Sequence, residues 1–179
     1  MTSSSRKEIF YVAGHIGVIY RYATREQILL QGHTNPISCV AVSQDKRWIV
    51  TADAGVENMI VVWDSTKGIP IKTIFTPHQN GTKSIDISND ALHIVTLSLA
   101  SEGESQTLSI WEWTSDRTTP IHSQRIAETD SQILVRFHPE DGKLLVTNGI
   151  KRVIFWGWRE NELVSHAPPI SSKYVSWLN

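Results

Sequence analysis

Cysteine is nearly absent from this sequence. Cys39 is its single thiol in 179 residues. That excludes an internal disulfide framework and fits a reducing compartment. Its neighbours Val40 and Val42 place it in an apolar strand, as a buried structural thiol. Long hydrophobic runs are missing too. None approaches the roughly 18 residues a helix needs to cross a bilayer. The opening MTSSSRKEIFYV lacks the apolar segment of a secretion signal, so the chain reads as intracellular, with no membrane partner expected. Charge of one sign is not in excess: 17 Lys plus Arg face 18 Asp plus Glu, for a net −1. Nucleic-acid readers usually carry a basic surplus, so no nucleic-acid partner is expected.

Catalytic signatures are also lacking. The phosphate-cradling patterns GxxxxGK and GxGxxG do not occur, nor does GxSxG. The 7 histidines form neither HExxH nor a short paired metal motif. No EF-hand pattern is present, so calcium binding is not expected. No catalytic residue, metal or cofactor is therefore assigned, and the chain is not expected to be an enzyme. Asn80-Gly81-Thr82 fits the glycosylation pattern but reads as a turn. What remains is an ordinary globular composition, 40% hydrophobic and 20% charged, in a chain long enough for one good core.

What is present is a repeat. Three segments align: HTNPISCVAVSQDKRWIVTAD from His33, HQNGTKSIDISNDALHIVTLS from His78 and ETDSQILVRFHPEDGKLLVTNG from Glu128. Each leads to a tryptophan-bearing run: MIVVWD, TLSIWEW and RVIFWGW. ISCVAV, KSIDIS and ILVRF alternate β-branched residues as strands do. SQDKR, SNDAL and HPEDGK are turns between such runs. With a fourth strand such as IPIKTIF, the unit is four antiparallel strands over about 45 residues, the blade of a β-propeller. No segment carries a helical period.

The division that follows is a flexible tail at 1–8, the end of a partial blade at 9–32, and blades at 33–77, 78–127 and 128–167, with the start of another at 168–179. The fold class is all-β, about three full blades plus partial blades at both ends. This suggests a fragment of a larger propeller or a truncated gene product. Trp113 and Trp158, each two residues after a strand tryptophan, read as blade packing.

Gly32-His33 followed by Trp63-Asp64 resembles the WD40 repeat. That resemblance implies a buried hydrogen-bond chain through Trp63, Thr51, His33 and Asp53. The next blade keeps His78, Thr96 and Trp111 but has Ser98 in place of the acid, which implies a weaker network. The third keeps Thr147 and Trp156, with Glu128 and Gly149 at the other places. The resemblance also puts the loops between second and third strands at one end of the propeller. They are long in two neighbouring blades, at 54–58 and 99–106. Variable loops on a rigid scaffold are where binding usually sits. Glu57, Asn58, Glu102 and Glu104 are therefore the candidate partner-binding residues.

The strings GHTNPISC, TAD and VWDSTKGIP resemble more narrowly the WD-repeat family of cilia- and flagella-associated protein 251. That likeness implies a scaffold of the motile-cilium axoneme, otherwise cytoplasmic. Its partners would be subunits of the radial spoke or of the calmodulin- and spoke-associated complex, and doublet microtubules. Its role would be regulation of ciliary motility. The echinoderm-type microtubule-associated WD40 proteins share similar openings and supply the alternative. A propeller enzyme would need polar residues converging on the axis, and no such cluster is legible.

Overall fold

The computed structural model describes residues 8–160 and 162–168. Residues 1–7 of the tail expected at 1–8, and 169–179 of the blade start expected at 168–179, lie outside them. Fifteen strands form four antiparallel sheets, and the other regular element among the described residues is a 3-10 turn at Glu128–Asp130.

The first sheet has three strands, β1 (Glu8–Ala13), β2 (Ile16–Arg21) and β3 (Glu26–Leu30). Glu8 pairs with Arg21 in backbone register, and its carboxylate accepts a 2.9 Å bond from Arg21 Nε. It therefore opens a strand, although the sequence reading leaves it in the tail. The second sheet holds β4 (Ile37–Val42), β5 (Trp48–Asp53), β6 (Met59–Asp64) and β7 (Ile69–Phe75). The third holds β8 (Thr82–Ile87), β9 (His93–Ser98), β10 (Gln106–Glu112) and β11 (His122–Ile126). The fourth holds β12 (Gln132–Phe137), β13 (Leu144–Gly149), β14 (Val153–Arg159) and β15 (Glu162–His166). Strands follow chain order across each four-stranded sheet, and β4, β8 and β12 lie side by side. Those three are the inner strands of adjoining blades.

The burial pattern explains the composition. A blade between two neighbours is covered on both faces, so its middle strands read as continuous apolar runs. In β5, β6 and β9 every residue after the first is buried. Three apolar clusters lie between adjacent sheets rather than inside any one of them. Small features repeat with the blades. Each inner strand carries a register shift near its start, at Ile37/Cys39, Thr82/Ser84 and Gln132/Leu134. Each following turn has a capping side chain at the same position. Ser43 Oγ accepts from Trp48 N, Ser88 Oγ accepts from His93 N, and His138 Nδ1 accepts from Glu140 N and Asp141 N.

The blades are also locked at the opposite end from the long loops. Ser65 Oγ donates to Lys46 O, Trp113 Nε1 to Ala91 O and Trp158 Nε1 to Gly142 O, each at 2.7–2.8 Å. Trp113 then stands edge-on to Trp48 at 5.2 Å, and Trp158 to His93 at 4.9 Å. Trp48 and His93 open the second strands of the preceding blades, so these tryptophans are inter-blade packing.

Candidate functional site

Two strands of the second sheet, β5 and β6, bring its network together with the loop that precedes the sheet. Trp63 on β6 donates from Nε1 to Thr51 Oγ1 on β5 at 2.8 Å. Thr51 Oγ1 lies 2.7 Å from His33 Nε2. His33 Nδ1 lies 2.9 Å from Asp53 Oδ2 at the end of β5, and both side chains have no exposed surface. The indole N–H can only donate, so the threonine oxygen accepts there; its own proton goes to Nε2 at 2.7 Å, nearer than Val61 O at 3.5 Å. That leaves the imidazole proton on Nδ1, facing the carboxylate. The second carboxylate oxygen, Oδ1, accepts Met59 N at 2.6 Å and fixes where β6 begins. Asp53 therefore has two tasks: it receives the histidine and it caps the next strand.

The third sheet divides those tasks. Trp111 Nε1 donates to Thr96 Oγ1 at 2.9 Å, and His78 Nε2 lies 2.8 Å from the same oxygen. Ser98 stands where Asp53 stands in the earlier blade. Its Oγ accepts Thr107 N at 2.7 Å, which reproduces the strand cap and leaves the histidine task unfilled. Burial of His78 without a carboxylate pushes its pKa down to about 4. The fourth sheet keeps one bond, Trp156 Nε1 to Thr147 Oγ1 at 3.0 Å. An acid could not stand at Gly149: a Cβ there would overlap Ser131 O and come within 2.7 Å of Gln132 Nε2.

At the same end of the molecule, the segment around Asn80 binds the two long loops together. Gly55 N donates to Asn80 O at 3.3 Å, and Ala54 bridges Gly81. Asn80 Nδ2 donates to Glu104 Oε2 at 2.9 Å, and Leu99 N donates to Gly81 O at 2.8 Å. Gly81, at φ 103, is held so close that a Cβ would strike Ala54. Glu57 and Glu102 stand exposed on this rim, next to Val56, which is 85% exposed.

Asn58 does not belong among the partner-binding residues. It is 1% exposed, and Nδ2 donates to Gly55 O and across to His78 O in the next blade. A side chain so enclosed joins blades and presents nothing to a partner. Glu104 is exposed, but its Oε2 already accepts from Asn80 and from Ser101 N, so it shapes its own loop. Gln106, one residue before the third-strand core as Asn58 is, repeats the staple. Nε2 donates to Gln132 O at 3.0 Å, and Oε1 accepts Gln132 N. The sequence reading did not single out Gln106 or Asn80. The signal for Gln106 was an amide recurring at one register position in two blades.

The most nucleophilic side chain is disarmed. Burial pushes the Cys39 thiol up to about 12, with Sγ near Ser38 Oγ and Thr82 O.

The family model described as CFAP251 N-terminal domain matches residues 1–178. Cilia- and flagella-associated protein 251 of Tetrahymena thermophila is 46% identical over 168 residues, which is 90% of this chain and 17% of that protein. Echinoderm microtubule-associated protein-like 4 of Xenopus laevis is 31% identical over 169 residues, covering 87% of this chain and 17% of that one. The chain thus spans about a sixth of the length of these relatives. Among solved structures, that of U3-55K aligns with a TM-score of 0.67 at 15% identity, over 88% of this chain and 47% of the other. That likeness carries the fold, a WD40 β-propeller, and nothing further.

Proposed function

The chain belongs to the CFAP251 N-terminal domain family, and on that basis we propose that it is a non-catalytic WD40 scaffold of the motile-cilium axoneme. In this reading it docks protein partners among the radial-spoke or calmodulin- and spoke-associated complex subunits and the doublet microtubules, and so takes part in regulating motility. The observation that supports docking is the rim at 54–58 and 99–106. Two long loops are held rigid through Asn80 and Gly81, with Glu57, Glu102 and Val56 facing outward. A preorganised loop face loses little conformational entropy when a partner arrives. The non-catalytic reading is supported by the state of the reactive groups. His33 is enclosed in its network, and Cys39 holds a thiol well above the usual range.

The test is a tagged copy in a ciliated cell, beside a copy in which both loops are replaced by short turns. Axonemal signal and co-purification of spoke subunits are expected for the first, and loss of co-purification for the second. Diffuse cytosolic signal with an unlabelled axoneme would overturn the reading. The 31% identity to the echinoderm-type relative supports a second reading, a microtubule-associated propeller. Co-sedimentation with pure tubulin in the absence of spoke proteins favours that one.

A further inference from the structure

The His78 ring meets Thr96 through Nε2, and Nδ1 makes no hydrogen bond among the described residues. Its Nε2 lies 2.8 Å from Thr96 Oγ1; that oxygen accepts the Trp111 indole, and its own proton has His78 Nε2 nearer than the alternative acceptor, Ser109 O at 3.4 Å. By the donor order found at His33, the His78 proton then sits on Nδ1. At His33 that proton faces Asp53 Oδ2. At His78 the corresponding residue is Ser98, whose oxygen is occupied by Thr107 N. The side chain of His78 is nonetheless in the interior, with the residue 6% exposed.

The space left by the missing carboxylate opens outward. A cavity of about 390 Å³ is lined by His78, Asn80, Ser98, Glu104, Thr107 and Arg125, among others. Arg125 lies on β11, paired in register with Thr107, and stands where the second sheet has Phe75. Its guanidinium is the one cation of the lining, and it enters none of the ion pairs found among the described residues. Glu104 also lines the cavity, with Oε2 committed to Asn80 and Ser101 N. The lining thus offers an imidazole N–H and a guanidinium, beside a carboxylate that is already hydrogen-bonded.

We propose that this cavity seats the carboxylate of an acidic side chain carried by a protein partner. The incoming carboxylate takes the place at His78 Nδ1 that Asp53 Oδ2 holds at His33, and it pairs with Arg125. The proposal rests on the reading that the loop face at 99–106 meets a protein. It adds the chemistry of the contact: a side chain inserted between blades rather than a flat touch on loop tips. Charge-assisted bonds out of bulk water are the strong class, and a guanidinium suits a carboxylate in shape.

The probe is a fluorescently labelled, end-blocked peptide of alternating Asp and Gly, with its Asn-for-Asp counterpart as control, read by anisotropy on the full chain. Binding of the Asp peptide at least about tenfold tighter than the Asn peptide is expected, given the worth of a charge-assisted contact. Acetate should compete. Two variants close the site from opposite sides. Arg125→Gln removes an exposed cation. Ser98→Asp supplies the missing carboxylate from within and should leave the fold at least as stable. Each should weaken the Asp peptide about tenfold or more. Equal binding of the two peptides, or undiminished binding by S98D, overturns the proposal. Displacement by inorganic phosphate at lower concentration than by acetate also overturns it, in favour of a phosphate site. Co-purification of spoke subunits separates this inference from the reading beneath it. Capture that survives S98D but not the shortened loops sinks the pocket and leaves the scaffold reading standing. Capture that survives the shortened loops sinks docking through the loop face, and this inference with it. Loss in both supports the pocket.

Discussion

Thr51 offers the sharpest test of the network, because valine keeps its shape and deletes only the hydroxyl. In T51V the Trp63 indole N–H and His33 Nε2 lose their partner together. Trp63 is 1% exposed and the His33 side chain fully enclosed, so water reaches neither. An orphaned buried polar group costs about 1–3 kcal/mol. Two of them, less the hydroxyl's own desolvation, give a loss of about 2–5 kcal/mol. Thr147→Val supplies an internal control, since Thr147 Oγ1 serves only Trp156 Nε1 among the described residues. Its expected loss is about 1–3 kcal/mol. The assay is urea unfolding followed by tryptophan emission and far-UV circular dichroism. With a slope of about 2 kcal/mol per molar, T51V should lower the midpoint by about 1–2.5 M. A cycle with Trp63→Phe should show the double variant less destabilised than the single losses predict, by about 1 kcal/mol. A T51V shift no larger than that of T147V, or strict additivity with W63F, would refute the chain as an energetic unit.

Three further outcomes are expected. The native His78 pKa of about 4 lies below its ordinary value of 6.5, so its stabilising contribution is complete above pH 6.5 and is lost as pH falls toward 4. The full loss is about 3 kcal/mol; unfolding across that range should show it, and His78→Gln should flatten the slope. Gly149→Ala should destabilise by about 2 kcal/mol or more, because its Cβ meets Ser131 O and the Gln132 amide, whereas Gly157→Ala, whose Cβ would lie 3.7 Å from Leu144 Cδ2, should be nearly neutral by thermal melting. Asn58→Ala should cost about 1–3 kcal/mol through the bonds to Gly55 O and His78 O, whereas Glu102→Ala should leave the urea midpoint unchanged within about 0.5 kcal/mol.

The blade period was legible because it rests on local signals. Strand alternation, turn chemistry and a tryptophan at one register position recur at a fixed spacing. The positions around Trp63 were legible through their family pattern. Asn58 was not. As an amide in a polar turn it looks solvent-facing, and its partner His78 O lies 20 residues on, in another blade. Glu104 likewise reads as part of an acidic loop, until Asn80 is found across from it. Ser98 was visible as a departure from the pattern. That Asp53 performs two separable tasks, and that serine retains only one, depends on which backbone N–H lies beside it. Sequence spacing carries no such information.

The bonds that cross between sheets have a consequence for how the molecule comes apart. Ser38 Oγ donates to Thr82 O, Ser84 Oγ accepts Val135 N, and Asp86 Oδ2 accepts Phe137 N. Together with the Asn58 and Gln106 amides, they make each blade complete its neighbour's hydrogen bonding. In a linear array with such coupling, melting behaves like the motion of a domain wall, because opening one unit strips partners from the next. Amide exchange should therefore proceed in steps larger than a single blade, and residues on β8 and β9 should share one opening free energy with those on β12.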